Sequence, residues 1–263
     1  MFFQEKKKKI ANNSTIRVRM ISSPISSSTL CLTTSDFYLL TIIFPLIILL
    51  ILPSLPVFSQ SLLEKHPFVI ARVKYRGGGD WYNDPSAVPN LSRFLKKETG
   101  ITIAEQEAKI SLSDKTLFSY PFLFLTGHGK LEFTDNEIES LRTYLLRGGF
   151  LYADDDYGMD TYFRETMKRV FPNRELTELS FSHEIFHIHF DFDHGLPKIH
   201  EHDKKPPQGF GIFDDNQRLM VFYTYETNIS DGWASPQVHN DPPEKRRQAL
   251  KMGANIIIWA FLN

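Results

Sequence analysis

Cysteine is almost absent from this chain. Its 263 residues include one, Cys31, which lies ahead of a long apolar run and lacks lipobox neighbours, so residues 60–263 hold none. That removes disulfides, thiolate metal sites and a cysteine nucleophile together. No internal repeat and no low-complexity segment occurs. Gly77-Gly78-Gly79 has neither dinucleotide spacing nor a Gly-Lys-Ser/Thr ending, so it reads as a tight turn needing positive φ rather than a phosphate cradle. An excess of positive charge is missing too. Residues 1–59 take six of the 30 basic and two of the 31 acidic side chains, which leaves 24 and 29 for residues 60–263, a net of −5. Such a body has no electrostatic footprint for nucleic acid.

What is present begins with a leader. Residues 37–57 are almost wholly apolar, broken by Pro45, and the basic residues lie upstream, so that side is expected to stay in the cytoplasm. Val57 and Ser59 suit the −3 and −1 positions of a signal-peptidase site, making Gln60 the mature start. The run is also just long enough to span a bilayer as an uncleaved inner-membrane anchor. Either way residues 60–263, read as a single domain, are expected to be exported to the periplasm or cell envelope. Contact with the membrane is expected only through residues 1–59.

The body is organised around residues 122–158. A short apolar run, 122–126, ends in Gly127-His128-Gly129. Thr134 and Glu137 form a capping box for a helix whose apolar stripe is Ile138, Leu141, Leu145 and Leu146. Gly148-Gly149 stops it, and 150–153 starts a second apolar strand that runs into Asp154-Asp155-Asp156. Strand, helix and strand in so few residues predict a βαβ unit with parallel strands. His128 and the aspartates then share the sheet edge where open α/β sheets bind ligands.

Around this unit, 68–75 and 108–112 read as strands, 91–98 and 161–170 as helices, 209–213 with 219–225 as a hairpin, and 244–261 as a closing helix. Residues 186–193 alternate strictly and predict a strand with His187, His189, Asp191 and Asp193 on one face. That face could bind a metal, and a half-exposed strand with a wet face gives the same pattern without a ligand. His200 and His202 would face the same way in an extended segment. Residues 228–243 form a long irregular segment rich in Asp, Asn, Gly and Pro, holding Trp233 and His239, of a length that is often functional.

The stretches Gly-Gly-Asp-Trp-Tyr-Asn (78–83), Leu-Thr-Gly-His-Gly (125–129), Gly-Gly-Phe-Leu-Tyr-Ala-Asp-Asp-Asp (148–156), Ile-His-Glu-His-Asp (199–203) and Val-His-Asn-Asp-Pro-Pro-Glu (238–244) resemble the uncharacterised DUF4159 family. More distantly, that family is similar to the class I glutamine amidotransferase-like superfamily, including the ThuA-like proteins. The resemblance implies a flavodoxin-like three-layer α/β/α sandwich with a mostly parallel sheet. The position that presents the catalytic cysteine in the glutaminases falls on Asp154, and the loop that helps form their oxyanion hole matches 127–129. A pocket is therefore implied without its chemistry, and no glutaminase activity is expected.

Adjacent carboxylates repel, so a partly buried cluster needs a cation or protons; solvated loop acids capping the next helix are the plainer alternative. Asp154, His128, His200 and His202 are the expected ligands of a divalent metal, for which a cysteine-free set suits zinc, manganese or iron. Asp154, His128 and Asp155 are the expected catalytic groups, with Gly127, Gly129, Asp156, Glu201, Asp203 and His239 binding a small-molecule ligand at the strand ends. Two function classes follow. One is a metal-assisted or carboxylate-dependent hydrolase of a small polar or carbohydrate-like compound. The other is a non-catalytic binding or scaffold module with envelope protein partners.

Overall fold

The computed structural model describes residues 67–262. The expectations for residues 1–59, including the apolar run and the cleavage site before Gln60, lie outside the described residues.

The described chain is a mixed α/β fold built on a seven-stranded, mostly parallel sheet. Its strands are β1 (Ile70–Lys74), β2 (Ala108–Ser111), β3 (Phe122–His128), β4 (Phe150–Tyr157), β5 (Thr177–Glu178), β6 (Gln208–Phe213) and β7 (Leu219–Tyr225). They lie in the order β2-β1-β3-β4-β7-β6-β5. Pairs from β2 through to β7 are parallel, whereas β7-β6 and β6-β5 are antiparallel. The central strands carry continuous apolar runs because helices cover both faces of the sheet.

On one face α1 (Ala87–Thr99) and α5 (Pro243–Leu262) enclose a core of Leu91, Leu95, Phe124, Tyr152, Trp233 and Met252, among others. On the other, α2 (Asp135–Leu146) and α3 (Asp160–Val170) bury Ile138, Leu141, Phe163 and Met167 against Leu123, Leu151 and Val221. Helix α2 starts with the capping box expected of it: Thr134 accepts from the Glu137 amide and the Glu137 carboxylate accepts from the Thr134 amide. Helix α1 begins at Ala87, ahead of the expected 91, and ends on Gly100 at φ 75°, whose amide caps Lys96. Gly77 and Gly78 take φ of 109° and 98°, as the tight-turn reading requires.

Two expectations are corrected. Residues 186–193 are not a strand: a 3-10 turn, Glu184–Phe186, leads into a loop. Phe186 and Phe192 are buried, and the Phe192 amide turns back onto the Phe186 carbonyl at 3.0 Å. The side chain of Asn255 in α5 bonds both the amide and the carbonyl of Phe190, at 2.9 and 2.7 Å. A side-chain amide thus satisfies backbone groups that a neighbouring strand would otherwise serve. The alternation recorded buried anchors of a loop. Secondly, Asp154–Asp156 belong to β4 itself, and all three are buried.

Candidate functional site: buried carboxylates and two histidines

Burying three aspartates in a strand demands partners, and the structure supplies them. Asp154 accepts from the Thr224 hydroxyl at 2.5 Å, and from the amide and hydroxyl of Ser230 at 2.6 and 2.7 Å. Asp156, on the same face, meets the hydroxyls of Thr126 and Ser230 at 3.0 and 3.3 Å and accepts from the Asn83 amide. Burial raises the pKa of both, and for Asp156 the charges of Asp231 and Asp154 add to it. Asp155 faces the opposite way. It accepts from the Met159 amide at 2.9 Å and borders a cleft of about 390 Å³ with Tyr157, Asp160, His202, Lys205 and Tyr225. Burial, then the amide bond working against it and repulsion from Asp160 and Asp154, leave its pKa at about 7.

A second constellation lies beyond Asp156. The Asn228 side chain donates to the Asp156 carbonyl at 2.5 Å and to Asp231 Oδ2 at 3.1 Å, joining the two. Asp231 sits in a 3-10 turn, Asp231–Trp233, anchored by the buried Trp233. His200 stands between two carboxylates, with Nδ1 3.0 Å from Asp231 Oδ2 and Nε2 3.1 Å from Asp241 Oδ1. His239 ends a short helix, α4 (Pro236–His239); its Nε2 is 2.8 Å from Asp84 Oδ2 and 3.9 Å from Asp231 Oδ1. Donor atoms of His200, Asp231 and His239 all lie within 4.8 Å of one another. Burial pushes Asp231 up to about 8, with Asp154 and Asp84 adding repulsion. Asp84 itself takes φ 46°, an uncommon conformation for a residue with a Cβ.

Residues 69–261 match the domain of unknown function DUF4159. The chain belongs to the DUF4159 family. No curated protein matches it.

Within this DUF4159 domain the expected site residues are spread over the edge. His128 is half-exposed and pairs with Asp80, its Nδ1 3.1 Å from Oδ2 and its amide donating to Oδ1 at 2.6 Å. His202 stacks on Tyr157 with centroids 4.5 Å apart, and its Nε2 is 3.0 Å from Asn228 Oδ1. Among the described residues Asp154, His128, His200 and His202 form no common ligand group, whereas His200 does so with Asp231 and His239. The reason for Asp154 is local: hydroxyls and an amide already occupy both of its oxygens.

The Gly129 amide donates to the Tyr157 carbonyl at 2.8 Å and so is not free to hold an oxyanion. Gly127 has φ 136°, and a Cβ there would fall 2.3 Å from the Tyr75 hydroxyl, which explains the glycine. Glu201 is exposed, 3.6 Å from Lys198. Asp203 borders the cleft beside the Tyr157 hydroxyl. His187 gathers with Asp191 and Asp193 as a second, more exposed group. Sequence reasoning missed Asp84, Ser230, Asp231 and Asp241. Asp84 directly follows one quoted family stretch, Asp241 lies within another, and Ser230 and Asp231 fall in the long irregular segment.

Proposed function

We propose that this DUF4159 domain is a hydrolase of a small polar or carbohydrate-like compound, with Asp155 as its acid–base group. The observation that carries the reading is one buried carboxyl, poised at about 7, at the margin of a cleft of ligand size. As a carboxylate Asp155 takes the proton of an attacking water. As the acid it returns that proton to the leaving group, so one residue serves both halves of the reaction. Tyr157 and Tyr225 line the cleft with aromatic surface, and Lys205 and Asp203 line it with charged groups suited to polar contacts.

The strand order supports a flavodoxin-like, amidotransferase-like ancestry. Its first five members, β2-β1-β3-β4-β7, follow the 2-1-3-4-5 pattern of such sheets, with the β6–β5 edge added. Without a thiol in residues 60–263, glutaminase chemistry is not part of the proposal.

Turnover should appear in a screen of chromogenic esters, amides and glycosides with the purified full chain, and Asp155→Asn should lose at least a hundredfold in kcat. An unchanged rate in that variant sinks the acid–base role. No turnover, with a protein partner retained through purification, would favour the binding or scaffold module instead.

The leader motivates a proposed location in the periplasm or cell envelope. Among the described residues no helix is long and apolar enough to cross a membrane; if the leader is not cleaved, residues 37–57 are the proposed anchor. Mass spectrometry of the native protein should find Gln60 at the N-terminus. An intact leader on a cytoplasmic protein would refute export.

A further inference from the structure

We propose that Asp84, His200, Asp231 and His239 form a divalent transition-metal site, separate from the Asp155 cleft. Three observations converge on it. First, Asp231 is 3 % exposed, yet its Oδ1 has no hydrogen-bond partner and lies 3.9 Å from His239 Nε2. An orphaned carboxylate oxygen is costly to bury, and a cation between it and the imidazole removes that cost. Secondly, three carboxylates, those of Asp84, Asp231 and Asp241, crowd the two histidines, and a cation held among them offsets their mutual repulsion.

Thirdly, the outer contacts are those a ligated histidine needs. With His200 Nδ1 turned to the ion, Nε2–H donates to Asp241 at 3.1 Å, which fixes tautomer and ring orientation. Asn228 likewise steadies Asp231 Oδ2. Ligand atoms about 2 Å from a metal stand roughly 3–4 Å from one another; donor atoms of His200, Asp231 and His239 lie within 4.8 Å of one another, and Asp84 Oδ2 is 2.8 Å from His239 Nε2. Two imidazoles and two carboxylates without a thiolate select zinc, manganese or iron(II) over copper(I), and over magnesium, which prefers an all-oxygen shell. Both histidines are partly open to solvent, so an ion can approach them from outside.

The test uses untagged full-length protein stripped with a chelator, titrated with ZnCl2, MnCl2 or, under anaerobic conditions, an iron(II) salt, and followed by calorimetry and thermal melting. One ion per chain should bind at this site, and a hundredfold excess over the dissociation constant should raise the melting temperature by about 5–10 °C. Asp84→Asn and His239→Ala should each weaken binding at least tenfold, and Asp241→Asn by about tenfold through His200. His187→Ala, in the surface group, should leave this binding unchanged. Where a variant fails to fold, His200→Gln replaces it. Absence of binding with zinc, manganese and iron(II), or binding that survives both Asp84→Asn and His239→Ala, overturns the site. The two proposals separate cleanly. Metal binding without turnover leaves this site standing and removes the hydrolase reading, whereas turnover by protein that takes up none of the three metals does the reverse.

Discussion

Asp155→Asn should stabilise the protein at pH 8 while silencing it. A carboxyl with an unfolded pKa near 4 and a native pKa of about 7 holds its proton more tightly in the folded chain. Between those values the native state is protonated and the unfolded state is not. Stability is therefore full below about pH 4, falls by about 1.4 kcal/mol per pH unit across the window, and is lost by the time pH passes 7. The integrated cost is at most about 4 kcal/mol, because the unfolded reference and solvent relaxation both shrink it. Asparagine cannot ionise, and its oxygen can still accept from the Met159 amide. Wild type and variant should thus melt alike near pH 4 and diverge as pH rises, the variant higher by several degrees at pH 8. Asp154 and Asp156 titrate in the same direction in both proteins, so the difference between the two curves isolates Asp155. A gap that does not change with pH would remove the buried-acid account. Stability gained where activity is lost is the expected signature of a group kept strained for chemistry.

The βαβ unit, the capping box of α2 and the β6–β7 hairpin rest on short-range patterns: contiguous apolar runs, Thr134 with Glu137, and a polar turn between two β-rich runs. Each is fixed within a few residues of itself. The alternation of 186–193 looked equally local, but it was decided by Asn255, about 65 positions away, through two bonds to Phe190. The site failed in the same manner. His200 was marked by its histidine-rich neighbourhood, yet its carboxylate partners Asp231 and Asp241 come from the segment after β7, and Asp84 reaches His239 from beyond β1. A carboxylate in an irregular loop has no periodicity to betray it. The three consecutive aspartates drew notice because they are conspicuous in sequence, but Asp154 proves to be a clamp that ties Thr224 and Ser230 to the central strand. Asp155 opens onto a cleft.

Arg72 is the residue on which the approach of the Asp84 loop depends, and Arg72→Met should cost about 3–5 kcal/mol. It lies in β1 with 1 % of its surface exposed, its Nε donating to Glu107 at 2.8 Å. Its Nη1 lies 3.2 Å from the Trp81 carbonyl and 3.1 Å from that of Asn83, and the guanidinium rests over the Phe124 ring at 4.8 Å. Strand, sheet neighbour and loop are thereby held by one cation. Methionine keeps much of the volume and loses every donor, which leaves the largely buried Glu107 with only the more distant Lys109, 3.8 Å away, and two carbonyls without their partner. The loop carries Asn83 to Asp156 and leads directly to Asp84, so the same variant should also blunt the response to metal. Chemical denaturation gives the stability loss. A second variant, Arg72→Met with Glu107→Gln, should recover part of it, since removing both charges costs less than stranding one. A loss below about 1 kcal/mol, or a double variant no more stable than the single one, would mean that packing on Phe124 rather than charge holds the loop in place.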